Sequence, residues 1–363
     1  MPFLTILIFI FVLGVLIFIH ELAHFVFAKR SGVRVDEFCI GFPPRIYKKQ
    51  VGETLYSIGI IPIGGFNKIY GEDSRDADEG AFYGKSVWTR AKIIAAGPLS
   101  NFIFAAILFI VIFMLGAPQA IEGKAPEGAT DVGVQVISTI TDSPAKNAGV
   151  LAGDKILKIK ILDSEKWTTI KEVKDVQSFT KNNSGDTVVL GIKRGEDLLE
   201  KEVLARANPP KGEGSMGIGL LKTARISYPW NEAIIKGVQN IFSVTIGSFI
   251  IFFEAIKGSF IGEPVPGVEV SGPIGIGNLF FQMATLGWIY VVQFTAILSL
   301  NLAILNILPF PALDGGRLIF LFIEKIKKSP VKIEIENRFN QVGFLILILF
   351  LIFITFKDIQ KMF

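Results

Sequence analysis

Residues 3 to 28 form an almost unbroken apolar run in which two histidines and a glutamate are embedded. About 20 apolar residues in a helix cross the roughly 30 Å of bilayer hydrocarbon, so this run is long enough to span a membrane. Lys29 and Arg30 follow it and close the span with positive charge. Ionisable side chains are costly inside a bilayer and mark functional positions there. The run therefore predicts a membrane protein with a functional site inside its first helix.

The embedded polar residues form the pattern His20-Glu21-Leu22-Ala23-His24, which holds the 2 histidines of the chain. Their spacing places both imidazoles on one face of a helix, where they can bind one metal ion. Glu21 lies beside them as a general base, and this pattern is typical of zinc peptidases. The alternative is a chance pair of histidines in a helix, which leaves the burial cost of these groups unexplained.

Composition and charge agree with a polytopic membrane protein. Hydrophobic residues make up 50% of the chain, which is high for a soluble single-core protein. The net charge is +4, but Lys and Arg cluster next to apolar spans, so membrane topology explains them better than nucleic-acid binding. Cys39 is the single cysteine, which excludes an intrachain disulfide and a cysteine-based zinc site.

About four transmembrane helices are predicted in total. The three after the first span are predicted at residues 91 to 115, 290 to 308 and 342 to 356. Residues 233 to 256 have charges close to an apolar stretch, which favours an amphipathic helix at the membrane interface. Lys and Arg are abundant in residues 29 to 92 and 317 to 338, so both segments are expected in the cytoplasm. The N-terminus and residues 116 to 285 are then expected outside.

A third metal ligand must be a side chain other than histidine. Asp314 is the best candidate, because it lies just after the third predicted span, at the same expected membrane depth as the two histidines. Pro309 and Pro311 precede it and would interrupt a helix, which frees backbone groups to line a polar cavity. The alternative is that these prolines and glycines only end a transmembrane helix, with Asp314 solvated at the membrane surface.

Three segments together resemble the site-2 protease family of intramembrane zinc metalloproteases, and most closely its bacterial RseP type. They are the HELAH motif, the Gly97-Pro98-Leu99-Ser100-Asn101-Phe102 segment, and the segment from Asn306 to Gly316 that contains Leu313-Asp314-Gly315. The resemblance covers nearly the whole chain. It implies that Asp314 is the third zinc ligand and that Asn301 and Asn306 hold substrate. Interhelical hydrogen bonding is the alternative for these asparagines, and Gly97, Pro98 and Asn101 are interpreted as packing and kink residues.

Two further segments belong to the same resemblance. Residues 55 to 70 are interpreted as a hairpin with Gly64-Gly65 at its turn, similar to the family's membrane-associated β-loop; Gly64, Gly65 and Phe66 are candidates for pairing with substrate. The alternative is a surface hairpin that has no role in substrate binding. Residues 142 to 157 are similar to a PDZ pattern, and short β-branched runs around them predict one α+β domain outside the membrane. It would bind a peptide or chain end, or exclude bulky substrates.

The sequence is thus interpreted as a polytopic α-helical membrane protein with one inserted extracytoplasmic PDZ-like domain and a membrane-associated β-hairpin. The predicted parts are residues 1–116 with the HExxH site and the β-loop, 117–225 as the PDZ-like domain, 226–284 as an amphipathic linker region, and 285–363 with the last two spans.

The expected function is cleavage of single-span membrane proteins within the membrane, such as anti-sigma factors or signal-peptide remnants. The expected mechanism uses one Zn²⁺ ion, with Glu21 as base. The expected location is the bacterial inner membrane, with the active site toward the cytoplasm. Besides its single-span substrates, the protein is expected to contact the lipid bilayer, and no nucleic acid is expected as a partner. The alternatives are a non-catalytic PDZ-bearing scaffold or chaperone for membrane clients and, less favoured, a transporter, which would show an inverted repeat.

Overall fold

The computed structural model describes residues 2–72, 76, 78–210, 212–261 and 271–360. The helices are α1 Pro2–Arg30, α2 Val87–Leu115, α3 Pro144–Asn147, α4 Val173–Asn182, α5 Trp230–Ile261, α6 Pro273–Leu286, α7 Trp288–Ile307, α8 Asp314–Lys327 and α9 Ile333–Gln360. The strands are β1 Val35–Val51, β2 Thr54–Ile69, β3 Ala117–Ala120, β4 Thr130–Thr139, β5 Lys155–Ile161, β6 Thr168–Thr169, β7 Thr187–Arg194, β8 Asp197–Leu204 and β9 Ile218–Ile226.

The chain divides into two compact units. The first consists of Met1–Ile107, Ser271–Gly277 and Thr295–Phe363, and the second consists of Leu108–Val270 and Asn278–Phe294. The first unit therefore contains the HExxH segment and the segment around Asp314, which lie far apart in sequence.

Within the described residues, five helices are long and apolar enough to cross a membrane: α1, α2, α5, α7 and α9. Four of them coincide with the predicted spans. The additional candidate is Trp230–Glu254 in α5, where the sequence predicts an interfacial helix. The chain is a multi-pass helical membrane protein with a β-rich region.

The hairpin between α1 and α2 differs from its predicted form. The structure forms it from β1 and β2, with the turn at Gly52-Glu53, and Gly64-Gly65 lies inside β2 rather than at a turn. Residues 37–40 of β1 pair with residues 65–68 and also with residues 55–58. The two predicted strands thus lie on either side of β1 and do not pair with each other, so the predicted turn position was wrong.

The second unit contains a seven-stranded sheet with the order β3-β9-β4-β5-β7-β8 and with β6 paired to β5. Its core is aliphatic and includes Val134, Ile156 and Leu190, all with 0% exposure. Two short helices, α3 and α4, accompany the sheet. The N-terminus of α3 is capped by the Ser143 hydroxyl.

A buried cluster in the first unit joins the elements that surround the HExxH segment. It contains Ala28 of α1, Val35 of β1, Ile69 of β2, Ile93 of α2 and Leu321 of α8. Apolar contacts of this kind hold the five elements in one packed group. Helices of this group, α1 and α8, carry the metal-binding candidates.

Candidate metal centre

α1 carries the two histidines on one face. Because α1 continues from Pro2 to Arg30 without a break, the i, i+4 spacing of His20 and His24 becomes a direct contact. Their Nε2 atoms are 3.1 Å apart, and each residue is only 9% exposed. Two buried imidazole nitrogens therefore point toward one point in space.

The chain brings Asp314 to the same point through a break in the helical path. α7 ends at Ile307, and Asp314 is the first residue of α8. The glycines that follow are required by packing. A Cβ at Gly315 would lie 2.0 Å from the carbonyl oxygen of Leu308, and one at Gly316 would lie 2.3 Å from that of Phe310. The glycine pair thus lets the segment after α7 fold tightly against α8, which fixes where Asp314 begins that helix.

The three candidate donors form a compact triangle. Oδ2 of Asp314 lies 3.1 Å from Nε2 of His20 and 3.4 Å from Nε2 of His24. Zinc–ligand bonds of about 2.1 Å in a tetrahedron place ligand atoms about 3.4 Å apart, so these separations fit one zinc ion. Oδ2 of Asp314 is buried and has no hydrogen-bond donor among the described residues. Such an oxygen is costly unless a cation satisfies it.

Backbone and amide groups of α2 orient both imidazoles. Nδ1 of His24 lies 2.8 Å from the carbonyl oxygen of Ile93, so it carries the proton and leaves Nε2 free to bind metal. The side-chain amide nitrogen of Asn101 lies 3.4 Å from Nδ1 of His20. The amide oxygen is buried and has no hydrogen-bond partner within the described part of the chain. A half-turn of this amide presents the oxygen to Nδ1–H, which satisfies the oxygen and again leaves Nε2 free.

Gly97 of α2 gives the imidazoles their space. A Cβ at this position would lie 2.2 Å from Nε2 of His24 and 2.7 Å from Nε2 of His20. Separations under 3.0 Å are not tolerated by real Cβ atoms, so only glycine fits here without movement of the rings. Gly97 therefore allows α2 to approach the two donor atoms directly.

Glu21 is held beside the donors by the edge of the hairpin. The side-chain amide of Asn67 donates to Oε2 of Glu21 at 2.7 Å and to the Glu21 backbone carbonyl at 2.8 Å. Gly65 also passes close to Glu21, because a Cβ at Gly65 would lie 3.2 Å from its Cγ. The carboxylate is thereby positioned by β2 while the neighbouring histidines are positioned by α2.

A cavity of about 330 Å³ opens at the donors. Glu21, Asp314 and both histidines line it, together with Gly65 and Phe66 of β2. The described residues that line this cavity do not include Gly64, Asn301 or Asn306. Gly64 lies against the ring of Phe42, and the two asparagines lie on α7. The structure therefore brings two of the five candidate substrate residues to the site.

Three residues of this centre have roles that differ from those expected from the sequence. Gly97 and Asn101 are interpreted from the sequence as packing and kink residues, and Asn67 is not singled out. A sequence signal exists for the first two, because a spacing of four puts them on one face of α2, as it does for the histidines of α1. No local pattern points to Asn67, since its contact with Glu21 depends on the fold of the hairpin.

A helix that carries metal donors and a carboxylate base within an apolar segment defines the class of membrane metallopeptidases. Comparison with known proteins gives the same class. The model of peptidase family M50 matches residues 8–350. The chain belongs to this site-2 protease family and is a membrane zinc metalloprotease.

Relatives match over nearly their whole length. A Clostridium perfringens protein that is named as a zinc metalloprotease is 34% identical, with 95% of each chain covered. The regulator of sigma-W protease RasP of Bacillus subtilis is 29% identical over 99% of both chains, and the zinc metalloprotease RasP of Bacillus licheniformis is also 29% identical over 99% of both. The PDZ domain of an SdrC-like protein from Listeria monocytogenes is 26% identical. It covers 28% of this chain and 93% of that domain, with a TM-score of 0.21.

Proposed function

We propose that this protein is an endopeptidase that cuts transmembrane segments of single-span membrane proteins inside the membrane. The observation that carries the proposal is the triangle of His20, His24 and Asp314 donors, 3.1 to 3.4 Å apart, beside the carboxylate of Glu21. Three of these side chains lie toward the C-terminal end of the apolar helix α1, and the fourth, Asp314, begins α8. A scaffold or chaperone would bind clients without this donor set, so the set favours hydrolysis over that alternative.

The residues of the centre divide the work of peptide hydrolysis. When zinc is bound to the three donors, it supplies a Lewis acid that acidifies water and polarises a carbonyl. Glu21 accepts a proton from the attacking water and delivers it to the nitrogen of the leaving amine. Asn67 holds the Glu21 carboxylate in place through its amide hydrogen bond. The cavity exposes Glu21 and the donors to one volume, so base and peptide carbonyl can meet there.

Substrate must reach this volume in extended form, because a helix hides its carbonyls in hydrogen bonds. Residues 65–68 of β2 pair with β1 on one side and carry Gly65, Phe66 and Asn67 into the site. We propose that the unwound substrate segment pairs with this part of β2, by β-augmentation. Gly64 then shapes the approach through its contact with Phe42, and Asn301 and Asn306 hold substrate farther along α7.

Substrates are proposed to be single-span proteins such as anti-sigma factors or signal-peptide remnants. The name of the Bacillus subtilis relative, regulator of sigma-W protease, supports the first of these. The β-rich domain of residues 117–225 is proposed to be PDZ-like and to bind a peptide or chain end, or to exclude bulky clients. A groove of about 340 Å³ between α4 and β9, lined by Val176, Thr180 and Leu220, is large enough for a few peptide side chains.

The proposed orientation places the metal centre toward the cytoplasm of a bacterial inner membrane and the β-rich domain outside. In this orientation α1 and α7 run in the same direction and reach the same depth, which the contact of His20 and Asp314 supports. The chain must therefore cross the membrane an even number of times between the end of α2 and the start of α7. α6 has 14 residues, or about 21 Å, which is too short to return across the hydrocarbon. We therefore propose that α5 begins and ends on the outer side, as an interfacial helix.

Replacement of Asp314 by Ala is expected to lower both zinc affinity and substrate cleavage by at least about 100-fold, because one of three protein ligands is removed. Zinc content of the purified protein and release of a fragment from a tagged single-span substrate measure the two effects. Asp163, in the β-rich domain, provides the matched control as Asp163→Ala and is expected to retain zinc. Unchanged zinc content in Asp314→Ala would return this residue to a helix-end role.

Single cysteines in a Cys39→Ala background test two proposals, the membrane orientation and the pairing of substrate with β2. A membrane-impermeant thiol reagent is expected to label Ser164→Cys from outside and Lys328→Cys only from the cytoplasmic face. Phe66→Cys is expected to form a disulfide with a cysteine placed near the substrate's cleavage site, whereas Gly52→Cys at the distant turn is not. Labelling of positions 164 and 328 from the same side would contradict the topology. Equal cross-linking at positions 52 and 66 would contradict pairing along β2.

A further inference from the structure

One face of α2 carries four residues with different tasks near the metal centre. Arg90, Ile93, Gly97 and Asn101 follow one another at spacings of three, four and four, which places them on one side of the helix. Ile93 accepts a hydrogen bond from one histidine, Asn101 approaches the other, and Gly97 leaves room for both. These three contacts fix α2 relative to the histidines of α1. Arg90 lies one turn before them on the same face.

Arg90 forms a buried, two-point ion pair with α8. Its Nη2 and Nη1 atoms donate to the two carboxylate oxygens of Glu324 at 2.5 and 3.0 Å. Its side chain is 4% exposed, and that of Glu324 is 15% exposed. The guanidinium is also fixed on its other sides: Nε donates to the Lys85 carbonyl, and the Tyr83 ring lies 4.8 Å away. The pair therefore has one well-defined geometry.

Glu324 belongs to the helix that begins with Asp314. Leu321 and Glu324 follow Asp314 by seven and ten residues, so all three lie close to one face of α8. Leu321 packs into the cluster that contains Ile93 and Ile94 of α2. Ten residues correspond to about 15 Å of helix. Asp314 and Glu324 thus lie near opposite ends of α8, and both ends face groups fixed by α2.

An ion pair supplies what apolar packing cannot. Burial of Leu321 is favourable over a range of helix rotations, because the hydrophobic effect has no direction. A two-point guanidinium–carboxylate contact does have direction, so it restricts both the rotation of α8 about its axis and its position along that axis. The side chain of Asp314 must remain within about 0.5 Å of its place for the donor triangle to persist. Rotation of α8 would move Asp314 out of this range.

We propose that Arg90 and Glu324 are positioning residues of the third metal ligand. Through this pair, α2 holds Asp314 in place. The next three turns of α2, which carry Ile93, Gly97 and Asn101, hold the two histidines in place. Neither residue touches substrate or metal. The inference rests on the proposed metal centre and adds to it the part of the chain that holds the carboxylate ligand in register.

The test is a double-mutant cycle on metal affinity, measured on the full chain in detergent by competition of Zn²⁺ with a chelator. Glu324→Gln preserves shape and removes the charge, and we expect it to weaken zinc binding about tenfold. In an Asp314→Ala background, the same substitution is expected to change the affinity less than twofold, because Glu324 acts only through Asp314. Glu334→Gln, on the exposed start of α9, is the matched control and is expected to have no effect in either background.

Arg90→Lys provides a second variant, because it retains a charge but lacks the two-point fork, and it is expected to give a smaller loss of the same pattern. The absorption spectrum of the Co²⁺-substituted protein is expected to shift in Glu324→Gln and to match the wild type in Glu334→Gln. Equal loss of affinity in both backgrounds, or no loss in either, would overturn the positioning role. His20→Ala separates this inference from the function itself: if it leaves zinc binding unchanged, the metal centre is wrong rather than its support.

Discussion

Replacement of Glu21 by Gln is expected to reduce cleavage of a single-span substrate by about 10²- to 10⁴-fold while zinc stays bound. The range is the usual contribution of a general base to catalysis. Gln has the shape of Glu and retains an oxygen that can accept the hydrogen bond from Asn67. It cannot accept a proton from water at neutral pH. The affected quantity is therefore the rate of the chemical step, and the measurement is single-turnover cleavage of a tagged substrate in detergent or liposomes.

Two controls make this result specific. Glu53, at the exposed turn of the hairpin, provides a matched Glu→Gln substitution that is expected to leave cleavage unchanged. Zinc content of Glu21→Gln is expected to equal that of the wild type, because the three metal donors lie on other residues. Equal cleavage by Glu21→Gln and the wild type would reject Glu21 as the base. Loss of zinc together with activity would instead assign Glu21 a role in metal binding.

Gly97→Ala is expected to weaken zinc binding strongly and to suppress cleavage with it, although it adds only one methyl group. The added Cβ would lie 2.2 Å from Nε2 of His24, which is one of the metal-binding atoms. Either the imidazole leaves the donor triangle or α2 moves away from α1, and both changes separate the donors. Metal ligands must stay within about 0.5 Å of their places, and relief of this clash requires a larger shift. We therefore expect zinc affinity to fall by about 100-fold or more. Metal analysis of the purified variant measures the loss.

The matched control for Gly97→Ala is Gly247→Ala in α5. A Cβ at Gly247 would meet no atom of the described residues within 4 Å. Alanine is favoured over glycine inside helices by about 1 kcal/mol, so neither substitution weakens its own helix. A defect confined to position 97 would therefore reflect the approach of α2 to the histidines. Normal zinc content in Gly97→Ala would show that the site accommodates the methyl group and that the close approach is not required.

The parts of the centre that depend on local spacing are predictable from the sequence. His20, Glu21 and His24 lie within five residues of one helix, so their geometry follows from helix periodicity alone. Asp314 is different, because the prediction that it approaches the histidines requires the membrane topology and a family resemblance. Gly97 and Asn101 lie on one helix face that the sequence reveals, but what that face meets depends on the packing of α2 against α1. Their roles therefore emerge only in the folded protein.

The hairpin shows where local patterns mislead. Gly64-Gly65 between two β-branched runs is a common turn signal, yet β1 inserts between those runs. Pro43 and Pro44 within β1 argue against a continuous strand, which hides β1 from pattern analysis. The pairing that results is set by contacts between distant residues rather than by turn chemistry. The contact of Asn67 with Glu21 is unpredictable from local sequence for the same reason, because it depends on which side of β1 Asn67 occupies.

Asp314 follows His24 by 290 residues in the chain. At synthesis rates of about 5 to 20 residues per second, roughly 15 to 60 s separate the appearance of the first donors from that of the last. During that interval the nascent chain has two imidazoles and a base but no carboxylate ligand. Because a metal site binds tightly only when its ligands are assembled, zinc capture by the proposed centre waits for insertion of the segment that carries Asp314. Under the proposed mechanism, the nascent protease is therefore expected to be inactive until Asp314 has joined the two histidines.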